Sequence, residues 1–148
     1  MTMKSDVIVE TVGRLKLSTW WIVIAPISFG MEAGQLIWKP NDEFYPFTLL
    51  MWGAMTVISF VGLRRAFDQL TYAVPLANAE AVRVKTRELT AISVGVTFLS
   101  FCFGLSLVAS KRLGGWYPIV AMILGLLTIS LNFLLRNGIG RLTSTGAQ

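Results

Sequence analysis

Apolar residues fall in four long runs, 18–38, 44–63, 89–110 and 116–135, separated by shorter polar stretches. Each run has about the 20 residues that a helix rising ~1.5 Å per residue needs to cross a bilayer core of ~30 Å. The pattern therefore predicts an all-α integral membrane protein with four transmembrane helices. Open strands are ruled out in lipid, because their backbone donors and acceptors would stay unpaired. Arg64-Arg65, Lys111-Arg112 and Arg136 stop the second, third and fourth runs.

The segments between the runs complete the layout. Residues 1–17 form an N-terminal segment in which Val9, Val12 and Leu15 stand at helical spacing among charges. This segment is expected either to lie on the membrane surface as an amphipathic helix or to form a partly ordered tail. Residues 18–63 make a first transmembrane hairpin. Residues 64–88 form a loop broken by Pro75 and then rich in helix formers, a charged stalk leading into the third span. Residues 89–136 make a second hairpin, and 137–148 a tail. No cleavable signal is expected: there is no apolar core before residue 18, and "LIWKPNDEFYP" rather than a small-residue cleavage site follows the first run.

Composition supports a membrane setting. Hydrophobic residues are 54%, charged residues 14% and the mean hydropathy is +0.64. Soluble domains carry about 25% charge. The net charge of +5 does not indicate nucleic acid, because the basic residues flank apolar runs rather than forming one patch. Four spans place the N-terminus, the middle loop and the C-terminus on one side. That side has Lys4, Arg14, Lys16, Arg64, Arg65, Arg83, Lys85, Arg87, Arg136 and Arg141; the other has Lys39, Lys111 and Arg112. The bias puts both termini in the cytoplasm, in a bacterial cytoplasmic (inner) membrane. Trp20 and Trp21 at one boundary, and Trp38, Tyr45, Trp116 and Tyr117 at the other, suit interfacial anchors.

The two hairpins look like copies. "YPFTLLMWGAMTVISFVGLRRAFDQLT" and "YPIVAMILGLLTISLNFLLRNGIGRLT" lie 72 residues apart and agree at eight of 27 positions. Membrane composition alone gives roughly two or three matches. A duplicated two-helix unit implies a pseudo-twofold axis along the membrane normal. Shared membrane-helix grammar explains the same matches without duplication.

The most unusual feature is Glu32, a carboxylate between Gly30 and Gly34 inside the first run. It stands about 9 Å from the Trp38 boundary, six residues at ~1.5 Å each. Three roles are open. Gly30, Ala33 and Gly34 admit a neighbouring helix, and Glu32 bonds to a group on it, with Lys39, Lys111 and Arg112 as candidate ion-pair partners. Alternatively, Glu32 binds a proton or cation in a small transporter, or it reaches toward outer water and does little. Other polar residues in the spans are mostly hydroxyls able to bond to their own helix (Thr56, Ser59, Thr97, Ser100, Ser106, Thr128, Ser130), with Gln35 and Asn132. Gly53 and Gly125 read as close-packing positions, Pro26 as a kink and Cys102 as a small apolar side chain. Glu80, Arg83 and Arg87 share one face of the stalk, either solvated or a docking surface.

With no His and a single Cys, neither a Cys/His metal set nor a disulfide is available, and no nucleophile–base pair or phosphate loop is present. An enzyme is not expected. No cofactor is called for; a bound pigment, quinone or lipid stays open. The leading expectation is a small membrane subunit that packs against a larger membrane complex or itself, in contact with membrane lipids. The alternative is a small dimeric proton- or cation-coupled transporter or channel using Glu32.

Overall fold

The computed structural model describes residues 2–38, 45–73 and 76–146, with side chains from 9–38, 46–72 and 79–142. It contains four helices: α1 (Thr2–Trp38), α2 (Tyr45–Ala73), α3 (Leu76–Leu113) and α4 (Tyr117–Gly146). All four are long and apolar enough to span a membrane. Their lengths of 37, 29, 38 and 30 residues correspond to ~44–57 Å, well beyond the ~30 Å hydrocarbon core.

The helix ends follow from local chemistry. Tyr45-Pro46 and Tyr117-Pro118 open α2 and α4, where a proline's missing N–H costs nothing. α3 ends with Lys111 and Arg112 in its last turn, cations placed against the negative end of the helix dipole. Gly114 and Gly115 then take φ of 64° and 63°, the left-handed conformation that glycine adopts without a Cβ clash. The Gly114 N–H donates to the Ser110 carbonyl at 3.2 Å, which closes the turn.

α1 and α3 run parallel and form the centre. α2 packs mainly on α1, and α4 on α3 with a smaller contact to α1; α2 touches α3 only slightly. The buried positions alternate at steps of three and four. The regular series runs through Val12, Leu15, Thr19 and Ile22 on α1, Leu63, Phe67 and Leu70 on α2, Val82, Thr86, Leu89, Ser93, Val96 and Ser100 on α3, and Thr128, Asn132, Leu135, Ile139 and Leu142 on α4. That is the heptad seam of a left-handed bundle.

Residues 2–17, expected to lie along the membrane surface or form a tail, instead continue the first span as one unbroken helix. The reason is visible in the packing. Val12 and Leu15 are buried in one cluster with Phe67, Leu70, Val82, Ile139 and Leu142, so neighbouring helices rather than lipid cover them. The apolar cluster thus reaches beyond the apolar runs at the end that carries both termini, and extends into them through Ile22, Leu63, Leu89, Val96 and Leu135. Within the runs hydroxyls and an amide join the inward face. Large side chains such as Leu50, Ile58, Met122 and Phe133 point outward, while Ser93, Ser100, Thr128 and Asn132 point inward.

Candidate functional site

The Gly30–Gly34 face is spent inside the chain. A Cβ at Gly30 would run into the Phe101 carbonyl oxygen, and one at Gly104 into the Ile27 carbonyl oxygen. A Cβ at Gly34 would meet Val108 at 3.0 Å. α1 and α3 therefore cross with their backbones in contact, through one glycine from each helix. Phe29 and Phe101 flank the crossing with ring centroids 5.2 Å apart. A Cβ at Gly53 would meet the Phe29 ring at 3.3 Å and one at Gly125 the Phe103 ring at 3.0 Å, so both glycines make room for an aromatic ring from the adjacent helix.

Glu32 faces elsewhere. At ~100° per residue it lies ~200° around α1 from Gly30, whereas Gly34 lies only ~40° away. It therefore does not bond to the helix that the glycines admit. Its partner is on α2: the Thr48 hydroxyl donates to Glu32 Oε2 at 3.1 Å. Glu32 and the neighbouring Ala33 are half-buried. Lys111 and Arg112, both exposed, make no ion pair with Glu32 among the described residues; they end α3, the helix on the far side. Lys39 lies outside the described residues.

The intramembrane hydroxyls mostly bond within their own helices. Thr56 donates to the Trp52 carbonyl at 2.8 Å, Thr97 to Ser93 at 2.8 Å and Thr128 to Leu124 at 2.8 Å. Ser100 Oγ and Asn132 Oδ1 differ: both are buried with no hydrogen-bond partner among the described residues. Near the termini end, the Arg136 guanidinium sits 5.2 Å from the Trp20 ring centroid, a cation–π contact that also holds α4 to α1.

A second feature was not anticipated. Because α2 barely touches α3, a crevice opens between them. At membrane depth it is a trough of about 390 Å³ lined by Pro26, Phe29, Phe60, Val94, Phe98 and Phe101, with the Thr56 and Thr97 side chains. Closer to the termini it widens to about 1050 Å³ and becomes charged, with Arg64 and Asp68 from α2 and Glu80, Arg83 and Arg87 from α3. The three stalk residues on one face, Glu80, Arg83 and Arg87, are exposed and line this groove. The sequence signal was the ladder Arg83, Arg87, Thr90, Val94, Thr97 and Phe101, at steps of three and four along α3.

No known protein family, curated protein or solved structure matches the chain.

Proposed function

We propose that this chain is a small accessory subunit of a bacterial cytoplasmic membrane, which packs against a larger membrane protein complex or against copies of itself. The observation that carries this reading is the state of α2. Its most apolar stretch is only 6% buried within the chain, against 28%, 33% and 28% for α1, α3 and α4. α2 is held on one side and presents Phe47, Leu50, Val57 and Ile58 outward. The glycine crossing is internal, so it does not supply the docking face; the outer side of α2 does.

Both termini are cytoplasmic in this reading, supported by ten Lys and Arg on the termini side against three on the other. A duplicated hairpin is supported by the packing order, in which α1 and α3 form the centre and each carries the helix that follows it. Extraction in mild detergent, followed by light scattering on the eluted peak, tests the function. A mass above that of one chain is expected. A lone 16.3 kDa monomer, with no cross-linked partner in intact membranes, would end this reading.

The second reading, a dimeric proton- or cation-coupled carrier, rests on Glu32. That carboxylate is half-buried at membrane depth and bonded to a neutral hydroxyl. Flux through proteoliposomes at several pH values decides it: equal flux for the native chain and Glu32→Gln excludes coupling through Glu32.

A further inference from the structure

We infer that the crevice between α2 and α3 is a binding site for one anionic glycerophospholipid, with an acyl chain in the aromatic trough and the phosphate held by Arg64 and Arg87. This inference rests on the membrane setting of the helices, not on the accessory-subunit reading.

Depth and charge both support it. The trough lies among apolar helix surfaces with no water-exposed polar group to satisfy, because its two hydroxyls are spent on the Trp52 and Ser93 carbonyls. At about 390 Å³ it falls within the ~300–1,000 Å³ of ordinary small-ligand sites. An apolar opening at this depth is filled by hydrocarbon. Arg64 of α2 and Arg87 of α3 both line the charged part of the crevice and are its lining charges nearest the trough along their helices. Asp68 on α2 and Arg83 on α3 follow one turn toward the termini, and Glu80 lies about another turn beyond.

Among the residues lining the crevice, the carboxylates Asp68 and Glu80 stand a turn or more along their helices from Arg64 and Arg87, toward the termini; Glu88, next to Arg87, is outside the lining and pairs with Lys85. None of the three arginines is paired with a carboxylate among the described residues, and all are exposed. Guanidinium groups that line one crevice from two helices beside an apolar slot suit a phosphodiester, which they bind by bidentate hydrogen bonds. Basic pockets between helices at the membrane surface recognise anionic headgroups in this way.

The test uses the full chain purified in a neutral detergent and titrated with dioleoyl phosphatidylglycerol, dioleoyl phosphatidylcholine or inorganic phosphate. Thermal unfolding is the readout, since a ligand of the folded state raises the midpoint. Phosphatidylglycerol should raise the midpoint more than phosphatidylcholine, and phosphate alone should not raise it. Arg64→Gln/Arg87→Gln should weaken apparent phosphatidylglycerol affinity by roughly fivefold per arginine removed, with helicity retained. Arg65→Gln, also exposed but outside the crevice, should keep the preference.

Placement of the chain is read separately, from a Phe98→Trp reporter and lipids brominated on the acyl chain; strong quenching is expected. Equal shifts from the two lipids, a preference that survives the double substitution, or a full response to phosphate alone would each overturn the site. So would efficient disulfide formation between copies of Val84→Cys/Cys102→Ser in phosphatidylcholine vesicles, which assigns the crevice to a second copy.

Discussion

Glu32 shows how far one side chain can be read from its neighbours. Its presence in an apolar run marks it as sheltered, because a carboxylate facing lipid costs roughly 2.5–3.5 kcal/mol at mid-span. The partner is less legible. A Gly-x-x-x-Gly motif suggests that the residue between the glycines meets the incoming helix, but helical geometry turns it to the opposite side, toward Thr48 on α2. No spacing in the sequence points to Thr48, since the contact crosses a connection whose geometry is not written locally. Intramembrane hydrogen bonds average about 0.6 kcal/mol. Thr48→Val should therefore lower unfolding stability in mixed micelles by about 0.5–1.5 kcal/mol, and Glu32→Gln, which keeps an acceptor, by less. A larger loss for Glu32→Gln than for Thr48→Val would mean that the charge itself is needed. Asn132 is the opposite case: its Oδ1 is buried without a partner among the described residues. Replacing such a group by an apolar one of similar size removes a desolvation penalty of ~1–3 kcal/mol. Asn132→Leu is expected to match or exceed the native chain in stability; a loss above ~1 kcal/mol would show that the amide has a partner.

At the scale of elements, the four helices are legible because length and hydropathy dictate them; their faces are not. In water, a helix marks its buried side by apolar residues. Here both sides of each span are apolar, and some inward positions are small or hydroxylated, such as Ser93 and Ser100. The heptad seam is hidden by this mixture of inward hydroxyls with Ile22, Val96 and Leu135, whereas beyond the spans Val82, Ile139 and Leu142 follow the ordinary rule. Glycines show the same ambiguity. Gly30 stands out beside Gly34, whereas Gly104 carries no local mark, yet the two make equivalent close contacts. Substitution separates their roles. Gly104→Ala places a methyl against the Ile27 carbonyl, which α1 can relieve only by moving away, so loss of the α1–α3 crossing is expected. Gly62 on α2 has nothing within 4 Å of a built Cβ, and Gly62→Ala should add up to ~1 kcal/mol through helix propensity. Circular dichroism during detergent denaturation compares the two. Equal effects of Gly62→Ala and Gly104→Ala would contradict the crossing.

For the molecule as a whole, the question is what keeps four helices together when lipid is as apolar as their side chains. Between the spans the driving forces are close packing and a few hydrogen bonds, and α2 draws on them from α1 alone, through Thr48–Glu32 and the packing of Gly53 on Phe29. The cluster of Val12, Leu15, Phe67, Leu70, Val82, Ile139 and Leu142 is different. These residues draw on every helix and form the part of the apolar cluster that lies where the chain becomes charged, the rest continuing into the spans through Ile22, Leu63, Leu89, Val96 and Leu135; burial outside the spans removes apolar surface from water, at about 25 cal/mol per Å². This end clamps the bundle, and α2 depends on it most, because Leu63, Phe67 and Leu70 are the only α2 residues among the buried core positions described. Phe67, 2% exposed, makes the sharpest test. Phe67→Ala should cost ~3–5 kcal/mol, the usual range for a buried phenylalanine. Val57→Ala, on the outward face of the same helix at 62% exposure, should change the stability of the isolated chain by less than ~0.5 kcal/mol. Unfolding in a detergent series, followed by tryptophan fluorescence, measures both. If the two substitutions cost the same, the clamp lies within the membrane after all, and α2 is held along its whole length rather than by its last turns.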